Sequence, residues 1–414
     1  MKQYITIFEQ QTIKLNQEID GVIFDEHKLK ALQRYYGQKG VPYFTLIHNG
    51  VRFKEYVGVI QVGETVIEVL PKADNTFTET YEEKQWRDIL VKMLLAVGAF
   101  KIHAPGISSL KLKSNSILDL YLELFIKEVE YLLHNGLIKQ YRKKEGNVIA
   151  LKGSIQFGKH IQQNLTHKER FYARYTTYDV EHKLHFILYQ TIRLLMQINN
   201  NVRLNCRIGA LSLHFPEMPE MKVTETTFEK LVFTRKTQPY KNAIDIAKLL
   251  LLQYHPDLNK GRNNVLALMF DMNKLWEQFV SVSLRKHKAP DMTLTVQTSK
   301  YFWKPENGNR SKIRPDIVVN KGNSDCVVLD TKWKNLNGYN PSPDDLRQMY
   351  VYHKYYGAKK VALVYPGTKT HISKGSYLDE EMDKECSIIL LSVEHEIKKW
   401  QLTIYDEIRK WCCP

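Results

Sequence analysis

The sequence predicts a multidomain α+β protein, with a β-rich domain over residues 1–80, a mainly helical region over 81–260 and a mixed α/β domain over 261–414. Three observations predict it. The chain has 414 residues, which at roughly 100–200 residues per domain gives two or three domains, each able to bury a core. Hydrophobic residues make up 43% and charged residues 25%, a globular balance without the apolar depletion of disordered chains. The hydrophobic period also changes along the chain, from alternation, to steps of three and four, to short apolar runs between helices.

In the first segment Tyr4-Ile-Thr-Ile-Phe8, Tyr43-Phe-Thr-Leu-Ile-His48, Tyr56-Val-Gly-Val-Ile-Gln-Val62 and Val66-Ile-Glu-Val-Leu70 read as strands. The last two flank Gly63-Glu-Thr65, a short hairpin connection, and Pro71 closes the second. A helix over 25–36 interrupts them. In the middle, Ile89, Met93 and Leu94 begin one helix, Leu118, Leu122, Phe125, Val129 and Leu132 step along another that ends at Asn135-Gly136, and a third covers 182–196. Between them lies a basic and aromatic stretch: Tyr141-Arg-Lys-Lys144, Lys152-Gly-Ser154 and Lys168-Glu-Arg-Phe-Tyr-Ala-Arg-Tyr175. It reads either as a nucleic-acid surface or as a solvated face with rings turned to the core. The last third reads as a helix over 264–286, strands over 294–302, 313–320 and 325–332, a helix over 344–356, and strands over 360–365 and 387–393, a mixed α/β unit.

Lys and Arg number 60 against 45 Asp and Glu, a formal net charge of +15, which predicts a polyanionic partner. The five cysteines, including the adjacent Cys412-Cys413, form no Cys-x-x-Cys or zinc spacing, which fits a reducing cytoplasm. The N-terminus turns polar at Glu9-Gln-Gln11, too early for a signal peptide, and no apolar run approaches the roughly 18 residues of a membrane span. No membrane role is expected. The phosphate loop Gly-x-x-x-x-Gly-Lys-Ser/Thr is absent from the sequence, which excludes P-loop nucleotide hydrolysis by this chain.

Acids stand where core strands do not favour them. In Arg314-Pro-Asp-Ile-Val-Val319 the apolar run starts at Asp316, and in Cys326-Val-Val-Leu-Asp-Thr-Lys332 it ends with Asp330 and Lys332. Strand side chains alternate, so Asp330 and Lys332 share a face opposite Thr331 and Trp333. If the two strands are neighbours, Asp316 meets that pair. Two carboxylates suit a hard cation such as Mg²⁺, with Mn²⁺ as its substitute, and a lysine beside them can orient water or stabilise charge on phosphorus. Gln348 and Tyr352, four apart, share one helix face.

This pattern resembles the PD-(D/E)XK nuclease superfamily, and the Gln348/Tyr352 helix looks like that of its RecB-like members. The resemblance implies that Asp316, Asp330, Lys332, Gln348 and Tyr352 are catalytic, that Asp316 and Asp330 hold the metal, and that Glu277 on the preceding helix adds a third acid. Glu277 lies at the border of that helix's apolar face, either half-buried toward the site or in a surface ion pair. Val57-Gly-Val-Ile-Gln-Val-Gly63, Ile67-Glu-Val-Leu-Pro-Lys72, His134-Asn-Gly136, Leu151-Lys-Gly-Ser-Ile155 with Asn164, and Phe270-Asp-Met-Asn273 extend the resemblance to the McrC family, the nuclease subunit of McrBC modification-dependent restriction systems. Glu181-His-Lys183 departs from it, where the family tends to an Asn-containing turn. The family resemblance implies a Mg²⁺-dependent endonuclease acting on modified double-stranded DNA. Its partner would be a hexameric McrB-like AAA+ GTPase, stimulated by the N-terminal domain. Because the hydrolytic motifs all lie in the last of the three segments, that stimulation is expected to be separable from the nuclease. Lys72 is read as a contact with that motor or as a lysine guarding a strand end. The rival readings are a non-catalytic DNA-binding adaptor and a free-standing RecB-like repair nuclease.

Overall fold

The computed structural model describes residues 3–37, 40–72, 81–98, 117–199, 201–255, 265–290, 292–334, 336, 340–378 and 384–412. It divides into two units, Met1–Lys101 with His255–Pro414, and Ile102–Tyr254. The expected first and third domains therefore belong to one unit, interrupted in sequence by the second.

Strands β1 (Gln3–Phe8), β2 (Tyr56–Val62), β3 (Thr65–Leu70) and β4 (Val265–Asp271) form a sheet in the order β1-β3-β2-β4. The pairing of β2 with β4 is antiparallel and runs without interruption from Val62↔Val265 to Tyr56↔Asp271. Ile5, Ile7, Ile60, Ile67, Val69 and Ala267 bury one face against Leu29 and Leu32 of the helix Glu26–Tyr36. That helix starts where Asp25 accepts a hydrogen bond from the Lys28 amide.

The residues 264–286 are thus not one helix. Asn264 lies outside the described residues, Val265-Leu-Ala-Leu-Met-Phe-Asp271 is β4, and helix α1 begins at Met272 and runs to His287. A short continuous apolar run reads equally as buried strand or helix. Here the Asp271 carboxylate decides the boundary, capping α1 by accepting from the Asn273 and Lys274 amides.

After α1 come β5 (Leu294–Val296), β6 (Lys300–Trp303), β7 (Ser311–Ile313), β8 (Ile317–Val319), β9 (Val327–Thr331), helix α2 (Pro343–Tyr356), β10 (Lys360–Gly367), β11 (Lys384–Ser392) and helix α3 (Ile397–Cys412). The single strand expected over 294–302 is broken at Gln297, whose φ of 52° is left-handed; β6 instead pairs with β7 as a separate hairpin. The main sheet runs β5-β8-β9-β10-β11 and continues into two short strands beyond. β5, β8 and β9 are antiparallel neighbours, and β9, β10 and β11 are parallel. On one face, Met349, Tyr352 and Tyr356 of α2 pack on Val318, Val328, Val361 and Leu363. On the other, the rings of Trp276 and Phe279 of α1 pack at a tilt against Trp400 of α3. Cys412 ends α3, and Cys413 lies outside the described residues.

The second unit is more than helical. Helices Ile117–His134, Lys183–Ile198, Val202–His214 and Lys241–Leu252 accompany a three-stranded sheet of Ser154–Ile155, Phe171–Asp179 and Gln140–Val148. The basic and aromatic stretch lies in this sheet, with Tyr141 and Tyr178 exposed. Its cations have acids beside them: Glu181 accepts from Arg142 and Lys144, and Glu145 from Lys159 and Arg174. Glu181, the departure from the family pattern, therefore anchors the ribbon.

Gly58 explains one of the motif residues. Its φ is 135°, and a Cβ there would lie 2.1 Å from the Leu268 carbonyl oxygen across the β2–β4 pairing. Gly58→Ala should cost about 2 kcal/mol or more. Urea unfolding tests this; an unchanged midpoint would mean that the β2–β4 approach is not that close.

Candidate active site

β8 and β9 are central neighbours, paired Ile317↔Leu329. One step beyond that pair Asp316 comes opposite Asp330. Asp330 is 2% exposed inside a strand buried at every position. Asp316, immediately before β8, accepts from the Thr331 amide at 2.7 Å and the Thr331 hydroxyl at 2.8 Å. Lys332 Nζ lies 2.9 Å from Asp330 Oδ2 as an ion pair and 3.7 Å from Asp345. The lysine is held from its far side as well. Lys332 donates to Gln348 Oε1 at 3.2 Å, Gln348 donates to the Tyr352 hydroxyl at 2.6 Å, and Tyr352 donates to the Arg314 carbonyl at 3.1 Å. The four-residue spacing on α2 thus becomes a hydrogen-bonded relay covering the Asp330 face of the sheet.

Glu277 is half-buried on α1. It accepts from Gln297 at 2.7 Å. Burial raises its pKa and the nearby charge of Asp316 raises it further, against the Gln297 hydrogen bond and Arg314. It is therefore the half-buried alternative that occurs. Burial also raises Asp316, although the two Thr331 hydrogen bonds and Lys332 work against it. Asp330 is raised by burial and then by the charge of Asp316, with Lys332 opposing. Burial pulls Lys332 down, but Asp330, Asp345 and Asp316 outweigh it and leave its pKa above the ordinary value. Lys332 is an ammonium at neutral pH.

Among the described residues no three His, Cys, Asp or Glu side chains gather into a ready-made metal cage. A hard dication does not require one, since one or two carboxylates with water complete its shell. Asp330 Oδ2 is buried and accepts no hydrogen bond beyond the ion pair with Lys332, and a second carboxylate, that of Asp316, raises its proton affinity. This donor set fits a hard divalent cation.

Several residues of the site were not singled out by the sequence. Thr331 sits between the two chemical residues of its motif and orients Asp316. Gln297, inside what read as a continuous strand, donates its amide N–H to the Asp316 carbonyl as well as its side chain to Glu277. Asp345, in the first turn of α2 after the Ser342 cap, faces both Lys332 and Lys334 at 3.7 Å; the Ser-x-x-Asp spacing was the legible signal.

Paired carboxylates and a lysine at the end of a mixed α/β sheet define a site suited to chemistry on an anionic substrate. The sequence matches the McrBC 5-methylcytosine restriction system component family over residues 51–366, and the chain belongs to that family. No curated protein matches it. Its fold is similar to McrC-containing structures from Thermococcus gammatolerans. One is a half-complex from a tetradecameric assembly of McrB AAA+ hexamers with bound McrC, at a TM-score of 0.75 and 19% identity, covering 99% of this chain and 100% of that one. Another, from the McrBC complex, has a TM-score of 0.51 and 18% identity over 69% of this chain and 88% of that one.

Behind the site, Trp333 is clamped by residues of the N-terminal segment. Its indole N–H donates to Glu9 Oε1 at 2.6 Å, and its amide donates to Asn273, whose side chain donates in turn to Glu55. Glu9 Oε1 also accepts the Lys72 amide at 3.0 Å. This occupies the Lys72 backbone, while its ammonium lies over the Phe8 ring. Burial pushes the Glu9 carboxyl up to about 7 against these hydrogen bonds, with Glu55 adding to the rise. A carboxyl raised on folding contributes stability that is complete below its unfolded pKa and lost as pH climbs through the folded one. Between about pH 4.5 and 7 the wild type should therefore lose up to about 3 kcal/mol relative to Glu9→Gln. Urea midpoints of both proteins across that range test this, and parallel curves would refute it.

Proposed function

We propose that the chain is the metal-dependent endonuclease subunit of a McrBC-type restriction complex, hydrolysing phosphodiesters of modified double-stranded DNA at a PD-(D/E)XK-type C-terminal site. The observation that carries this reading is the buried Asp330–Lys332 ion pair with Asp316 opposite it across two central strands. Buried acids without such a purpose cost stability.

Asp316 and Asp330 would hold Mg²⁺, or Mn²⁺ in its place, with Glu277 as a third acid. When bound, the ion supplies Lewis acidity and a water of lowered pKa at the phosphoryl group. Lys332 presents a fixed positive charge to the phosphoryl oxygens as water adds to phosphorus and one P–O ester bond breaks. Its raised pKa makes it a stabiliser of charge rather than a base. The Gln348–Tyr352 relay keeps that charge aimed, and Thr331 keeps Asp316 turned toward the site. The formal charge of +15 suits a DNA substrate. The similar fold of McrC bound to McrB AAA+ hexamers supports a McrB-like hexameric GTPase as partner, whose GTP hydrolysis this chain stimulates.

Asp330→Ala should abolish cleavage. Lys332→Ala should lose about 10²–10³-fold in turnover with DNA affinity little changed, the mark of a group acting in the transition state. Equal losses in binding and turnover would reduce Lys332 to a phosphate contact. Independently of activity, saturating Mg²⁺ or Mn²⁺ should stabilise the wild type by about 2–3 kcal/mol in thermal unfolding and leave Asp330→Ala unmoved. Equal stabilisation of both proteins would place the ion elsewhere.

A further inference from the structure

The hairpin of β6 and β7 is unlike the rest of the α/β unit. Tyr301, Phe302 and Trp303 are 55%, 41% and 56% exposed in succession, so three large rings face water where a strand ordinarily buries every second residue. A register shift between Tyr301 and Trp303 breaks the alternation there. The charge is equally one-sided. Residues 300–314 carry Lys300, Lys304, Arg310, Lys312 and Arg314 against a single acid, Glu306. Arg310 and Lys312 lie over the Tyr301 ring, 5.6 and 4.9 Å from its centroid.

Both roots of the hairpin are fastened to the candidate active site. The chain enters from Gln297, which is bonded to Glu277 and to the Asp316 backbone. It leaves through Arg314, whose carbonyl receives the Tyr352 hydroxyl and whose charge acts on Asp316. Its stem is pinned to the last turn of α2: Tyr356 donates to the Thr298 carbonyl at 2.5 Å, Tyr355 to the Phe302 carbonyl at 3.2 Å, and Lys300 to the Tyr355 carbonyl at 2.9 Å. The same helix holds Lys332 through Gln348. This is a supported arm with an exposed tip.

We propose that the hairpin 300–313 is a DNA-engaging arm beside the cleavage site, its cations Lys304, Arg310 and Lys312 on backbone phosphates and the Trp303 ring against the exposed face of a base. The inference rests on the endonuclease reading and adds to it where the substrate is gripped. A two-stranded ribbon is narrow enough to follow a DNA groove. Cations alternating with rings are what combined phosphate and stacking contact needs. Charge complementarity selects DNA over a protein partner, because a protein interface built on these rings would leave the surrounding cations unpaired and costly to desolvate.

Trp303 also supplies the probe. Trp276, Trp333, Trp400 and Trp411 are buried and Trp86 is half-buried, so Trp303 is the exposed indole. With the full-length protein and a short DNA duplex carrying one unpaired base, in Ca²⁺, DNA should shield Trp303 from acrylamide quenching. Trp303→Ala should weaken binding about tenfold, with Trp303→Phe recovering most of it. The Arg310→Ala/Lys312→Ala protein should bind with a log–log salt slope shallower by about 2. If the wild type binds DNA and these variants bind it equally well with an unchanged slope, the arm falls and the endonuclease reading stands. If the wild type binds no duplex even at low salt, the arm falls, and the endonuclease reading is decided separately by cleavage with Asp330→Ala. If the variants keep DNA binding but lose association with an AAA+ hexamer, the hairpin is a protein interface and the proposal is overturned.

Discussion

The antiparallel pairing of Tyr56–Val62 with Val265–Asp271 is the contact on which the rest of this unit depends. It closes a loop of about two hundred residues, and the whole second unit is inserted within it. Asp271, the last residue of that pairing, is also the cap of the helix that carries Trp276 and Glu277. The strand that completes the N-terminal sheet thus sets where the acid-bearing helix begins, and a slip of one residue in the pairing would move every side chain of β4 to the wrong face. Gly58 permits this pairing because only a residue without a Cβ lets Leu268 come so close.

The same seam reaches the lysine motif. Trp333 follows Lys332 directly, and both of its N–H groups are engaged, one by Glu9 and the other by Asn273, itself held by Glu55. Holding Trp333 fixes the end of β9 from one face, while the Gln348–Tyr352 relay fixes Lys332 from the other. A charge that must meet a transition state within a fraction of an ångström needs such support on both sides. A chain ending before Asn264 would leave the β2 edge bare and Glu9 without Trp333.

Much of this was legible in the sequence. Asp316, Asp330 and Lys332 stood out because acids and a lysine ending apolar strands contradict their surroundings, and alternation alone assigned Asp330 and Lys332 to one face. Helices with clear caps, such as that beginning after Asp25, are legible at nearly their true ends. What escaped detection depends on partners distant in sequence. Val265–Asp271 is apolar at nearly every position and has no period to separate strand from helix until β2 lies beside it. Gln297 broke a β-rich run by adopting a left-handed backbone that its residue type does not advertise. Glu9 reads only as the point where the N-terminus turns polar, because its partner Trp333 is over three hundred residues away. The motif residues Gly58 and Glu68 prove structural: one admits a neighbouring strand, and the other receives Arg87 at 2.6 Å.

Tied through the β2–β4 pairing and the Trp333 clamp, the N-terminal sheet and the acid–lysine strands should open as one cooperative element. Native-state hydrogen exchange of the full-length protein, read by mass spectrometry against denaturant, tests it most directly. The amides of 56–62, 265–271 and 327–333 should converge on a single opening free energy and denaturant dependence. Exchange of 56–62 and 265–271 through a lower-energy opening that leaves 327–333 protected would contradict it.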